Sequence, residues 1–328
     1  MITDLERGDA VDADAARIRA VSDDRAGNVR QATALAEALG GSAPPLTLVP
    51  RAPWRWLAPR RWPGSGGAYG EDFAAALRRP PRLAIGCGRQ AALATRLLRA
   101  AGSQVVQVLD PRLDPAHWDL VVAPEHDGLA GGNVITLLGS LNPVDDDWLR
   151  RARAASAAFA ELPAPRTALL VGGPTAQAPF DAARLDALCA TLAAMRAESG
   201  GSLLATTSRR TPPDVARTLG RRFANAPGFV WCGPVDGANP YPGLLAWADR
   251  IVCTPDSVNM LSEACATRAP VFVFEPRCAT GRPRRFLDAL FARGRIREAD
   301  AALAAFAAEP LRETARVARE VRERLSWA

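Results

Sequence analysis

The sequence predicts an α/β protein built as two doubly wound domains facing across a cleft. Three observations lead there. Short runs rich in Val, Ile and Leu, such as "RLAIG", "QVVQVLD" and "DLVVAP", alternate with helical segments, the pattern of parallel strands covered on both faces. The alternation pauses at "LPAPR" (Leu162–Arg166) and restarts with "TALLVGG". The chain has 328 residues, comfortable for two cores of this kind.

The first half opens with "IRAVS" (Ile18–Ser22), a short strand, and "NVRQATALAEALGG", a helix with a glycine stop. "LTLV" is the next strand, followed by an irregular stretch of Pro, Trp and Arg. "EDFAAALRR" and "RQAALATRLLRAAG" are helices flanking the strand "RLAIG", and "QVVQVLD", "DLVVAP" and "NVITLLG" are further strands. "DDDWLRRARAASAAFAEL" reads as one long helix, its acidic start explained by capping and the helix dipole. In the second half "TALLVGG", "SLLATTS", "GFVWCG" and "RIVCT" are strands, separated by three helical segments. "TPDSVNMLSEACATRAPVFVF" (Thr254–Phe274) supplies a loop, a helix and a buried strand. In "LRETARVAREVRERL", Leu311, Ala315, Ala318, Val321 and Leu325 share one face, which should dock on a domain. The expected organisation is a disordered leader over 1–16, an N-terminal domain over 17–163, a C-terminal domain over 164–309 and a closing helix over 310–328.

Composition narrows the chemistry. Every basic residue is arginine, which excludes a lysine Schiff base and a P-loop lysine but suits phosphate and carboxylate recognition. Six scattered cysteines (Cys87, Cys189, Cys232, Cys253, Cys265, Cys278) form no C-x-x-C pair and read as buried thiols of a reducing compartment. Two histidines and no zinc spacing leave no metal site to expect. The start, "MITDLERGDAVDADAAR", lacks the basic and apolar regions of a secretory signal, and no apolar run reaches the ~20 residues of a membrane helix. A cytoplasmic protein is expected.

Ligands of doubly wound sheets bind beyond the carboxyl ends of the strands, so the loops there carry the candidates. In Ser22–Gln31, Gly27 permits a turn and Asn28 caps the helix; with Asp23, Arg25 and Gln31 this is either a capped turn or an anion site. In "GCGRQAA", Gly86 and Gly88 flank Cys87, a packing residue, and Arg89 and Gln90 begin a helix. Arginine there opposes the helix dipole unless something negative is near. Glu125, His126 and Asp127 follow a strand, and His126 beside carboxylates suits a general base; His117 reads as structural. Gly172 and Gly173 let a ligand approach the backbone. Thr206, Ser208, Arg209 and Arg210 form either a phosphate clamp or a solvated loop. Asn239 and Tyr241 sit in "GANPYPG", either a turn or a contact to a base or sugar. "RAPWRWLAPRRWPG" (Arg51–Gly64) suits a membrane interface or an acceptor. No basic stripe continues it, so nucleic acid is not expected.

The stretch from Thr254 decides between these. Asp256 or Ser257 caps its helix cheaply, but capping leaves Glu263 unexplained. The pattern D-S-x-x-x-x-x-E-A-x-x-x-x-x-P-V resembles the donor-binding segment of GT-B-type nucleotide-sugar enzymes, such as UDP-N-acetylglucosamine 2-epimerases and the peptidoglycan N-acetylglucosaminyltransferase. The resemblance implies that Ser257, with the amides up to Asn259, holds a diphosphate and that Glu263 binds ribose. The glycine pair often found after that serine is replaced by Val258 and Asn259.

A resemblance of wider reach covers most of the chain. "SDDRAGNVRQATALAEALG", "PEHDGLAGGNVITLLGSLNPV", "LLVGGPT", "TTSRRTP" and the Thr254 stretch together resemble the bacterial relatives of the plant "elongated mitochondria" fission-factor family. The first loop departs from that family's D-G-x-x-G-H, with Asp24 and Asn28 in the segment. The resemblance implies two Rossmann-like domains, GT-B-like, and a metal-independent glycosyltransferase of cell-envelope glycoconjugate synthesis. The C-terminal domain would bind a nucleotide-diphosphate sugar as substrate, with no cofactor. The N-terminal domain would bind an unknown acceptor, lipid-linked if Arg51–Trp62 meets the inner membrane peripherally. His126 or Asp23 would deprotonate the acceptor. A nucleotide-sugar epimerase on the same scaffold and a non-catalytic recruiting protein stay open.

Overall fold

The computed structural model describes residues 18–326; the expected leader lies outside them. The chain forms two compact units, one running to Pro143 and resuming at Glu313, the other spanning Val144–Arg312.

The first unit holds six parallel strands: β1 (Ile18–Ser22), β2 (Leu46–Thr47), β3 (Leu83–Cys87), β4 (Gln104–Val108), β5 (Leu120–Pro124) and β6 (Val134–Leu137), in the order β2-β1-β3-β4-β5-β6. Every residue of β3 is buried, as a central parallel strand requires. Alternation along the strands feeds two apolar layers. Ile18, Ala20 and Ile85 face α1 (Ala26–Ala38), while Val21 and Ala84 face Phe73 of α2 (Glu71–Arg78) and Ala91, Ala94 and Leu98 of α3 (Gly88–Ala100).

The second unit repeats the plan. Its strands are β7 (Arg166–Val171), β8 (Ser202–Thr207), β9 (Gly228–Trp231), β10 (Arg250–Cys253), β11 (Val271–Val273) and β12 (Ile296–Glu298), all parallel, in the order β12-β11-β10-β7-β8-β9. Counted from β7 this is the doubly wound order 3-2-1-4-5-6. The sequence reading missed β12, an edge strand in which only Ile296 is buried.

The units change at Val144, earlier than the expected Leu162–Arg166, because α4 (Asp146–Ala155) packs on α7 (Tyr241–Trp247). The Arg153 guanidinium donates to the Ala246 carbonyl at 2.7 and 3.0 Å, and the Trp247 indole N–H donates back to the Arg153 carbonyl at 3.1 Å. The long helix expected over Asp145–Leu162 breaks at Ser156 and continues as a 3₁₀ stretch, Ala157–Glu161. Ser156 packs where only glycine fits: a Cβ on Gly243 would lie 2.2 Å from its hydroxyl. Asp145 caps α4 by accepting from the Trp148 N–H at 2.7 Å.

The two chain crossings are each fastened within their own unit. Asn142 and Thr314 exchange bonds of 3.0 and 2.7 Å in the first. In the second, Arg312 donates to Asp146 at 2.6 Å and holds its carboxyl down at about 2. The closing helix α10 (Glu313–Leu325) buries Val317, Ala318 and Val321 against the α1 layer. The face differs from the sequence stripe: Ala315 is exposed, and Leu311 precedes the helix, donating its N–H to Cys265 at 2.8 Å.

Candidate functional site

In the second unit the strand order reverses between β7 and β10, the place where doubly wound sheets open a crevice at their carboxyl edge. The loops that follow these strands meet there. The Gly172 N–H donates to the Thr254 hydroxyl at 2.8 Å. A Cβ on Gly172 would lie 1.9 Å from Asp256 Oδ2, and one on Gly173 would lie 2.4 Å from the Arg210 Cβ. The glycine pair therefore admits Asp256 and Arg210 rather than leaving empty space. From β8, the Ser208–Thr211 turn folds back on the same point. Ser208 donates its N–H to the Val171 carbonyl at 2.8 Å, and the Thr211 hydroxyl donates to the Gly172 carbonyl at 2.6 Å.

Asp256 is the unusual group. It is 7% exposed, and neither carboxylate oxygen accepts a hydrogen bond of regular geometry among the described residues, although the Thr254 hydroxyl and the Asp256 and Gly173 N–H groups approach closely enough to act on it. Its nearest cation is Arg210, 3.7 Å away and largely exposed. Burial pushes the Asp256 carboxyl above its ordinary range, opposed only in part by the Thr254 hydroxyl, the Asp256 N–H, the Arg210 charge and the Gly173 N–H. Ser257, not Asp256, caps α8 (Val258–Cys265), accepting from the Met260 N–H at 3.4 Å. Residues Ser257–Met260 are partly exposed, and first-turn amides lack intrahelical acceptors, so this end of α8 presents N–H groups toward an anion. At the other end Arg295, 4% exposed, donates to the carbonyls of Cys265, Thr267 and Ala269 and fixes the helix in place.

Glu263, one turn and a half into α8, is 2% exposed, and the Tyr241 hydroxyl donates to its Oε2. A phenol thus occupies one of the oxygens expected to face ribose. Asn239 is exposed just ahead of α7, its side-chain oxygen accepting from the Tyr241 N–H at 3.0 Å, while Pro240 holds the N-cap position. Thr206 is 1% exposed inside β8 and contributes packing, not a ligand contact. Arg209 is exposed on the turn, and Asn259 lies in the first turn of α8.

The first unit has its own switch point, between β1 and β3. Asp23 accepts from the Asn28 amide at 2.8 Å and from the Arg25 N–H at 3.4 Å, while the Cys87 thiol reaches Asn28 Oδ1 at 3.8 Å. Gly88 has a φ of 86°, and a Cβ there would lie 2.5 Å from the Asn28 amide nitrogen. The structure departs from two expectations at this switch point. The N-cap position of α1 is Arg25, without a side-chain cap; Asn28 instead bonds Asp23, and Gly27 lies within the helix without positive φ. Gly86 is not a ligand loop: its Cβ would collide with the Thr95 methyl at 2.5 Å.

Arg89 is explained without a ligand. Its guanidinium donates to the carbonyls of Arg55 at 2.8 Å, Ala58 at 3.0 Å and Trp56 at 3.4 Å, and the Gln90 amide adds a bond of 2.9 Å to Arg55. The negative partner expected at that helix start is the carbonyl end of the helical turn Trp54–Leu57. Gln31 is 4% exposed on α1. Glu125, His126 and Asp127 form a 3₁₀ turn after β5, three strand spacings or about 14 Å from β1. The fold therefore does not join His126 to Asp23. Among the cysteines, Cys87, Cys189, Cys253 and Cys265 are buried, whereas Cys232 and Cys278 are only partly so. Burial pushes the Cys87 thiol far up, as suits a packing residue.

The family model for mitochondrial fission ELM1 matches residues 26–325. The chain belongs to the mitochondrial fission ELM1 family. "Mitochondrial fission protein ELM1" of Arabidopsis thaliana is 29% identical over 277 residues, covering 75% of this chain and 64% of that relative. The match thus spans less than two thirds of the plant protein. Among solved structures, UDP-GlcNAc 2-epimerase of Methanocaldococcus jannaschii aligns with a TM-score of 0.58 at 14% identity, covering 95% of this chain and 99% of that one. The same enzyme in complex with UDP-GlcNAc and UDP aligns with a TM-score of 0.52 at 12% identity, over 95% and 99%. At these identities the likeness is one of fold, and this ELM1-family chain has the two Rossmann-like, GT-B-like domains that its sequence predicts.

Within that fold, the sequence pairs Arg209 with Arg210 without ranking them and gives no role to Thr211. Nothing in "SRRTP" distinguishes Arg210, beside Asp256, from Arg209, and nothing announces Thr211 as the side chain that ties the turn to β7. No helix among the described residues is long and apolar enough to cross a membrane.

Proposed function

We propose that this ELM1-family protein binds a nucleotide-diphosphate sugar at the β7/β10 switch point and transfers the sugar to an acceptor. The observation that carries the reading is the conjunction at one edge of the second unit: the start of α8, the Gly172–Gly173 loop and the Arg210 guanidinium beside Asp256. Helix amides and an arginine suit a diphosphate, and they would stabilise it as a leaving group. The fold likeness to an enzyme solved with UDP-GlcNAc and UDP supports a uridine nucleotide as the first candidate. Glu263 would receive the ribose, sharing its carboxylate with Tyr241. The loops at Asp23–Asn28 and Glu125–Asp127 would take the acceptor in the first unit. Proton removal would fall to His126 or Asp23, which lie three strand spacings apart.

Titration calorimetry with UDP, ADP, GDP and their sugars tests this. Binding of one nucleotide, weakened roughly tenfold or more in Arg210→Ala and little changed in Arg209→Ala, is the expected result. Folded protein that binds none of them would remove the donor site and with it the transferase reading. Product analysis with the sugar nucleotide alone then separates transfer from epimerisation.

A further inference from the structure

The stretch Arg51–Gly64 is fastened to α3 by more than Arg89 and Gln90: the Arg96 guanidinium donates to the Pro59 carbonyl at 2.9 Å. This leaves a concavity of about 330 Å³ lined by Arg60, Arg61, Trp62, Arg96, Leu113 and His117. A second one of about 220 Å³ shares Arg61, Arg96 and His117 and adds Arg99. Arg96 lies eight residues along α3 from Gly88, so the pocket is about 12 Å down the helix from the first unit's switch point.

The charges do not balance. Arg99 is paired with Asp119 at 2.9 Å, but no carboxylate lines either concavity. The guanidinium groups of Arg60 and Arg61 have no hydrogen-bond or ion-pair partner among the described residues. Arg96 is partly buried, and desolvation followed by the nearby Arg61 charge lowers its pKa. Crowding like charges around a half-buried one is unfavourable unless an anion joins them. Trp62, 52% exposed, and Leu113 add an apolar wall.

We propose that this pocket is a phosphate-binding site, taking a phosphomonoester or diphosphate borne on a group of sugar size. Guanidinium forks match phosphate oxygens in pairs, and the volume is that of a small-ligand site. The pocket is separate from the nucleotide-sugar site and does not depend on it. The ligand's source is either a soluble sugar phosphate or a lipid headgroup, and both present the same chemistry.

The test uses the full chain and its Arg60→Ala/Arg61→Ala variant, changed at exposed positions that leave the core intact. Inorganic pyrophosphate is titrated against tryptophan fluorescence, and flotation is measured with phosphatidylcholine vesicles with and without phosphatidic acid. A loss of roughly tenfold or more in pyrophosphate affinity in the variant supports the site. Flotation on phosphatidic acid vesicles by the parent chain, lost in the variant, supports it and names a lipid source; pyrophosphate binding without flotation names a soluble one. Equal binding of both probes by the two proteins, or by neither, overturns the proposal. So does a single-stranded oligonucleotide lost in the variant when pyrophosphate and vesicles bind to neither.

Discussion

The two switch points are built alike and finished differently. In each, a glycine of one loop makes room for a polar side chain of the next: Gly88 for Asn28, Gly172 for Asp256. In the first unit that side chain is satisfied. Asn28 bonds Asp23 and takes the Cys87 thiol, and Arg89 and Gln90 turn away to hold backbone carbonyls. In the second unit the side chain is a buried carboxylate without a hydrogen bond of regular geometry, beside an exposed arginine and a helix start. A buried polar group left unpaired is a costly feature. The first switch point has an unpaired buried group too, the Ser22 hydroxyl at the end of β1, so what sets the second apart is that its buried group is a carboxylate.

Methyl groups added at the two glycines sharpen the contrast and should have the largest effects. Gly88→Ala adds overpacking, about 1–3 kcal/mol, to the roughly 1–2 kcal/mol of a left-handed alanine. Gly172→Ala adds only overpacking, because its φ is not positive. Removing the opposing side chain should therefore rescue one and not the other. Asp256→Ala should restore most of the stability lost in Gly172→Ala, whereas Asn28→Ala should leave Gly88→Ala impaired. Urea unfolding of the singles and doubles measures this, and equal rescue in both units would break the comparison.

A smaller effect is expected at the tyrosines. Tyr241 donates to a buried carboxylate, and Tyr69 of the first unit donates to the Gln90 carbonyl at 2.8 Å. Tyr241→Phe should cost about 1.5–3 kcal/mol and Tyr69→Phe about 0.5–1.5 kcal/mol, the usual difference between charged and neutral acceptors. Thermal melts of the two variants give the ratio. If Tyr241→Phe also changes nucleotide affinity while Tyr69→Phe does not, Glu263 is shared between phenol and ligand.

The fold was legible wherever a strand is central. "RLAIG", "QVVQV" and "TALLV" are apolar because both their faces are covered, and their order with the helices gives parallel sheets. What local pattern does not carry is tertiary choice. The unit boundary at Val144 depends on Arg153 reaching Ala246, 93 residues away, and β12 depends on pairing with β11. The candidate site divides the same way. Asp256, Ser257 and the glycine pair stood out by position, but whether a side chain caps, packs or waits is decided by its neighbours. Ser257 caps, Arg89 holds carbonyls, and Asp256 does neither.

Asp256→Asn should have the smallest effect on stability, and its sign is informative. Burial raises the Asp256 carboxyl above its ordinary 3.8, so the folded protein holds that proton more tightly than the unfolded chain does. This group's contribution is then fully present below 3.8 and is lost as pH rises through the folded value. At about pH 7 the ionised carboxylate is a burden that the neutral amide removes, so the variant should melt higher than the parent there. The gap should close as pH falls toward 3.8, where the parent regains its proton. The corresponding change in the first unit, Asn28→Asp, places a carboxylate beside Asp23 and should instead lower the melting temperature at neutral pH. Melts across this range decide the matter. A variant at Asp256 that is less stable at neutral pH would mean that the carboxylate is already held by partners, and the asymmetry between the two switch points would fall with it.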